Sequence, residues 1–297
     1  MTGTGTQNDP YVVYTLEELL SVNGANYITL GADIDANAEG YEYVLEPISI
    51  GGNGANCRFD GAGHKISNLT IDYDSFFQFH TGFAAYTGYL VNTDFINCKQ
   101  IGTGAFIVNI SSNSNMSYIQ NCKFSISANK KNRAIGFLDA NLTLTECAVD
   151  ITYSYAVANG SIFGDNDRIE RSTVIVRQSD ESFIPDATLL YTNGITCIDS
   201  GFIFVGCIFN GSTLNIGGYT SGVASSVQHT YFVFDNCKYI YSTQTGRVQF
   251  NPGEANSVLC CISDCERIGY DSTTKYAQIT KEQIQSKEYL QSIGWLP

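Results

Sequence analysis

The sequence predicts an all-β solenoid, a parallel β-helix of about nine coils with a short capping helix at each end. Two observations carry this. The pattern of Asp94 to Ile101 (DFINCKQI) returns six more times, with Cys98, Cys122, Cys147, Ser172, Cys207, Cys237 and Cys265 at its reference position. Three residues earlier stand Phe95, Ile119, Leu144, Ile169, Phe204, Phe234 and Ile262, all apolar. Successive reference positions lie 24, 25, 25, 35, 30 and 28 residues apart, the range of stacked repeats. Between recurrences comes a second short apolar strand, as in Phe106 to Ile110 and Val248 to Phe250. Asn/Gly/Ser turns join the strands, and the coils lack the helical stretch that a leucine-rich or doubly wound fold requires.

Residues 1 to 26 read as an N-terminal segment with a capping helix. Thr15 and Glu18 make a capping box, Leu16, Leu19 and Leu20 give one apolar face, and Asn23-Gly24 ends the helix. Residues 27 to 268 read as the β-helix, a rod on the order of 40 Å long at about 4.8 Å per coil. In HKISNLTI, Ile66, Leu69 and Ile71 are read at the places of Ile119, Cys122 and Phe124. The widest coil, Ser172 to Cys207, is expected to carry a polar loop at Gln178 to Asp186. Residues 269 to 297 read as a C-terminal cap, with a second capping box at Thr280 and Gln283. One helix is expected from Lys281 to about Ser292, anchored by Ile284, Tyr289 and Ile293.

Early strings such as GTQNDPYVVYTLEELLSV, YITLGADIDAN, PISI and FDGAGHKISNLTI resemble the opening coils of right-handed parallel β-helix proteins of the GLUG-repeat type, found in bacteria and their phages. The resemblance covers about Gly5 to Ile71. Later elements such as Ile135-Gly136-Phe137 and Ser161-Ile162-Phe163-Gly164 resemble it loosely. It implies a right-handed coil and a virion or cell-surface setting.

Composition narrows the function classes. The 297 residues are 43% hydrophobic and 15% charged, which favours a folded core over disorder. A formal charge of −13 without basic clusters argues against nucleic-acid binding. No apolar stretch is long enough for a membrane helix, and MTGTGTQNDP has no leader pattern, so a soluble, unsecreted chain is expected. Six of the ten Cys share the repeat position and are expected as free, buried thiols. Asn68, Asn97, Asn121 and Asn236, with Asp264, precede the reference position and are expected to form a side-chain ladder from coil to coil.

Catalytic and metal patterns are weak. Asp33-Ile34-Asp35-Ala36-Asn37 starts like a calcium loop but has Ala38 and Val44 where Gly and Glu are needed. Asp165 and Asp167 read as solvated surface residues. Asp139, Asp165, Asp167 and Glu170 are carboxylates to inspect for a glycosidase pair, and Arg133, Arg168 and Arg171 are bases that no motif marks. Cys260, Cys261 and Cys265 lack zinc spacing, and His64, His80 and His229 lack an evident nucleophile. No cofactor or metal is expected. Tyr86, Tyr89, Tyr153, Tyr155 and Tyr219 lie near predicted turns, where Tyr can stack on sugar rings. The candidate surface-contact set is Asp180, Glu181, Phe183, Tyr153, Tyr155 and Tyr219.

The resulting expectation is a non-enzymatic structural or adhesive protein. The resemblance points to a phage virion component, a tail-fibre, receptor-binding or capsid-decorating protein assembled in the bacterial cytoplasm. Its partners would be other virion proteins, further copies of itself, or a host-surface glycan. A cell-surface adhesin or carbohydrate-binding β-helix is the alternative, and a polysaccharide-degrading β-helix enzyme the second alternative.

Overall fold

The computed structural model describes residues 1–52, 55–82, 86–102, 104–111, 116–128, 137–138, 141–153, 163, 167–178, 184–185, 196–210, 214–216, 226–239, 246–250, 258–270 and 277–295. Among these, each pairing between strands of a sheet is parallel, and the fold is the expected β-solenoid. One long sheet has nine strands in chain order, from Tyr11–Val13 through Gly88–Val91 and Ser117–Gln120 to Ser226–Gln228. A second has eleven, from Ile34–Asp35 through Asp94–Gln100 and Thr230–Asp235 to Ala277–Gln278. The remaining side is divided among three sheets of three strands, so a single count of nine coils does not describe the rod.

Strand periodicity builds the core. Ile28, Phe59, Leu90, Ile119, Leu144 and Ile169 are in register on the nine-stranded sheet, and all are buried. On the eleven-stranded sheet Phe95 stacks on Phe124 at 5.3 Å, Phe202 on Phe232 at 5.1 Å and Phe204 on Phe234 at 5.1 Å. One coil spacing brings identical rings into offset contact, adding about 0.5–1.5 kcal/mol per pair beyond burial. All ten Cys are free thiols, nine of them buried.

The single repeat position of the sequence proves to be two. Cys122, Cys147 and Ser172 line up with Thr93, Ser200 and Thr230 at the corner leaving the nine-stranded sheet. Leu69 and Cys98, and further along Cys207, Cys237 and Cys265, mark the corner at the far end of the eleven-stranded sheet. HKISNLTI therefore matches Phe95 to Cys98, with Ile66 paired to Phe95, while Ile119 pairs with Leu90. The apparent 35-residue coil mixed the two corners; from Ser172 to its true neighbour Ser200 the separation is 28.

Both corners look alike in sequence because they solve one local problem. The residue before the small side chain is left-handed: Asn92, Asn121, Glu146, Arg171, Asp199 and His229 at one corner, Asn68, Asn97, Gly206, Asn236 and Asp264 at the other, with φ between 44 and 63°. Asn, Asp and Gly tolerate this best, which explains their prevalence. The next side chain must be a small donor. The Cys147 thiol donates to the Thr145 carbonyl at 3.2 Å and the Ile119 carbonyl at 3.6 Å, and the Ser172 hydroxyl donates to Glu170 at 2.7 Å. Thiol, hydroxyl and threonine side chains satisfy turn carbonyls that burial would otherwise leave unpaired. Leu69 is the apolar exception.

The chain ends close differently. Helix α1 (Leu16–Ser21) is capped by Thr15, whose hydroxyl accepts the Glu18 N–H at 3.2 Å. The Glu18 carboxylate in turn accepts the Tyr14 N–H at 2.8 Å. Val13, Leu16, Leu19 and Val22 join the main core. The expected C-terminal helix is broken in two, α2 (Lys281–Gln285) and α3 (Lys287–Ser292). Ser286 is extended, and its hydroxyl accepts the Tyr289 N–H, so it stops one helix and caps the next.

The two helices lie on the outer flank of the last strands, where Val233, Leu259, Cys261, Ile279 and Trp295 form a separate cluster. Ile284, Tyr289 and Leu290 anchor them, whereas Ile293 is 43% exposed. The Lys281 ammonium pairs with Asp235 at 2.7 Å. Removing the Thr280 cap costs about 1 kcal/mol. The variant Thr280→Ala is expected to lower the midpoint of the transition reported by Trp295, the single Trp, while the far-UV transition of the β-helix holds its place.

His80 gives the fold a weak acid sensitivity. Burial holds its pKa below the ordinary value of 6.5. A lowered histidine pKa means that the unfolded chain binds the proton first, so this contribution is full above pH 6.5 and is lost as pH falls towards the folded pKa. The variant His80→Gln should flatten the decline of the urea midpoint between pH 7 and pH 5; an unchanged slope would assign it to other groups.

Candidate functional site

The same alternation that buries Leu90 and Ile119 turns their neighbours outward. Tyr27, Arg58, Tyr89, Tyr118, Thr143 and Arg168 stand in register along the outer face of the nine-stranded sheet. Tyr89 and Tyr118 stack at 5.4 Å with their planes 15° apart, and the residues are 36% and 38% exposed. Stacking fixes both rings in advance: one face of each is turned to the other, and the outer edges and hydroxyls are left open to solvent.

Three residues along each of these strands lies the polar corner. The Asp60 carboxylate accepts from Asn92 at 3.1 Å, and the Asn92 carbonyl accepts from Asn121 at 2.9 Å. At the opposite corner Asn68 donates to Asp35 at 3.0 Å and Asn97 to Asn68 at 2.7 Å. Of the expected ladder, Asn121 on one side and Asn68 with Asn97 on the other thus take part in two short runs, each starting on an aspartate, and no such run is shown for Asn236 and Asp264 among the described residues. Burial works against ionisation of Asp60, but hydrogen bonds from Arg58, the Ala62 N–H and Asn92 outweigh it and hold its pKa below the ordinary range. Asp35 is lowered chiefly by the Asn68 hydrogen bond.

A groove of about 460 Å³ follows the first of these corners, lined among others by Asn92, Asp94, Asn121, Lys123, Glu146 and Arg171. Lys123 pairs with Asp94 at 3.4 Å and Arg171 with Glu146 at 3.2 Å. Cys122 and Cys147 line it too. Burial pushes the Cys122 thiol well above its ordinary pKa, so it is held in the thiol form and not as a nucleophile.

The candidate surface-contact set fares differently. Tyr153 is 2% exposed and is corrected to a core residue: it follows Val149 and Ile151 on the inward face of Ala148–Tyr153. It was expected near a turn, but the strand extends to it. Asp180, Glu181, Phe183, Tyr155 and Tyr219 lie outside the described residues, as do Asp139, Asp165 and Arg133. Asp167 is buried, not solvated, and accepts the Leu142 N–H at 2.9 Å. Glu170 is held by Arg168 and, at 3.7 Å, by Arg171.

Among the described residues no group of three or more His, Cys, Asp or Glu is placed to hold a metal ion. Cys260 packs into the main core and Cys261 into the outer cluster, so these neighbours do not converge. His64 meets Asp33 at 3.1 Å and His229 meets Asp199 at 2.8 Å, each across one coil. Tyr118 was missed. The signal was the shared frame of GYLVNT and SYIQNC, which places Tyr89 and Tyr118 at equivalent points of successive coils.

No family model matches the chain, and no curated protein matches it. Two solved structures are similar to it. The "putative immunoglobulin A1 protease" of Bacteroides ovatus has a TM-score of 0.46 and 16% identity, covering 99% of this chain and 90% of its own. The SRRP of L. reuteri 53608 has a TM-score of 0.42 and 12% identity, covering 91% of this chain and 96% of its own. Neither carries a residue role or an activity over to this chain.

Proposed function

We propose that this chain is a non-enzymatic adhesive rod that contacts glycans through the outer face of the nine-stranded sheet. The observation that carries this is the exposed, stacked pair Tyr89 and Tyr118. The apolar face of a sugar ring can pack across the exposed rims of such a pair, and the polar corner beside them offers amide and charged partners to ring hydroxyls. The virion setting implied by the resemblance of Gly5 to Ile71 is proposed with it, and proteomics of purified virions tests that part by the presence or absence of this chain.

Binding to an immobilised glycan panel tests the reading itself. Tyr118→Ala and Tyr89→Ala are each expected to weaken binding about tenfold, the loss of roughly 1.4 kcal/mol of ring contact. Both positions face solvent, so far-UV circular dichroism should be unchanged. Wild-type binding that persists in both variants would move the site elsewhere. Release of reducing ends or unsaturated products from any panel member would replace adhesion by catalysis.

A further inference from the structure

The groove beside the tyrosines has a charge pattern that selects among glycans. Its ionic side chains are Asp94, Lys123, Glu146 and Arg171, two of each sign, and each is engaged by a partner on the adjacent coil. On the strand face Arg58 is likewise held by Asp60 at 2.7 Å, and Arg168 by Glu170. A charged ligand group would have to displace a partner already in place, so on these exposed pairs its gain is only the difference between two similar contacts. The chain as a whole carries −13, which repels polyanions at long range.

What the groove does offer is an amide. Asn121 ends the Asp60–Asn92–Asn121 ladder, and the next coil has Glu146 at that corner, engaged by Arg171. Tyr118 and Asn121 are three residues apart on one extended run, about 10 Å, more than one pyranose ring spans.

We infer that the site takes an uncharged oligosaccharide of at least two rings, one packed across the exposed rims of the Tyr89–Tyr118 pair and the next hydrogen-bonded in the groove at Asn121. This rests on the glycan reading above and specifies its ligand class. Ring contact with the tyrosine pair supplies most of the affinity, and the groove supplies length and charge selectivity.

Calorimetry with the full chain tests it, using cello-, malto- and manno-oligosaccharides of two to six units against oligogalacturonates and chitosan oligomers. At least one neutral series is expected to bind, with affinity rising from two to four units and changing less than about twofold between 50 and 500 mM NaCl. Asn121→Gly keeps the left-handed backbone while removing the amide, and should abolish the gain with length, about fivefold for one hydrogen bond. Tyr118→Ala should weaken every length. Preference for a charged series with strong salt dependence, or an unchanged length profile in Asn121→Gly, overturns this inference while the dependence on Tyr118 leaves adhesion standing. Absence of binding by every series overturns both.

Discussion

Phe124→Ala is expected to destabilise the rod by about 3–5 kcal/mol, the cost of emptying a large aromatic site in a close-packed core. Phe124 stacks on Phe95 with planes 7° apart, and meets the edges of Phe106 at 6.3 Å and Phe137 at 5.2 Å. It thereby links two consecutive coils. A solenoid is stable through interfaces between neighbours, so a weakened interface lets the two sides unfold at different denaturant concentrations. Urea unfolding followed by near-UV circular dichroism should show a lower midpoint or a split transition. Phe124→Leu retains most of the volume and should lose much less. A loss under about 1 kcal/mol for the alanine variant would mean that the neighbouring rings collapse into the gap.

Ser172→Val is the second severe change, at about 2–4 kcal/mol. The Ser172 hydroxyl accepts the Cys147 N–H at 3.0 Å while donating to a turn carbonyl, and valine can do neither. The Cys147 N–H is then buried without a partner, and the branched side chain crowds the corner. Ser172→Cys tests the explanation, because Cys122 and Cys147 already occupy equivalent corners. Thermal unfolding should place the cysteine variant within a few degrees of wild type and the valine variant well below it. Equal losses would deny the hydrogen-bond account.

Period-two burial and the inward-facing Phe, Ile and Leu three residues before each corner were legible in the sequence, because they depend only on neighbours within one strand. The identity of each corner was not. Asn97-Cys98 and Asn121-Cys122 obey the same local rule, a left-handed residue followed by a small donor. Which sheet each belongs to depends on register with strands about 25 to 30 residues away, as between Glu146 and Arg171 or Asp199 and His229. The tyrosine platform was half legible for the same reason: Tyr89 stands out alone, but its pairing with Tyr118 exists only across coils. Tyr153, expected near a turn, is the last inward-facing residue of its strand.

The asparagine ladders give the rod a direction and a seam. Each amide donates towards the N-terminal end, and Asn92 and Asn68 also accept from the next coil, down to a carboxylate at Asp60 or Asp35. A chain of this kind is polarised along its length, and its members reinforce one another. Beyond Asn121 the same corner changes to other cross-coil pairs, the ion pair of Glu146 with Arg171 and the hydrogen bond between Asp199 and His229. For engineering, the rod is therefore two cassettes spliced end to end. Duplicating the coil that carries Asn92 would lengthen the first in phase, whereas the junction after Asn121 is the place where a foreign coil interrupts no relay.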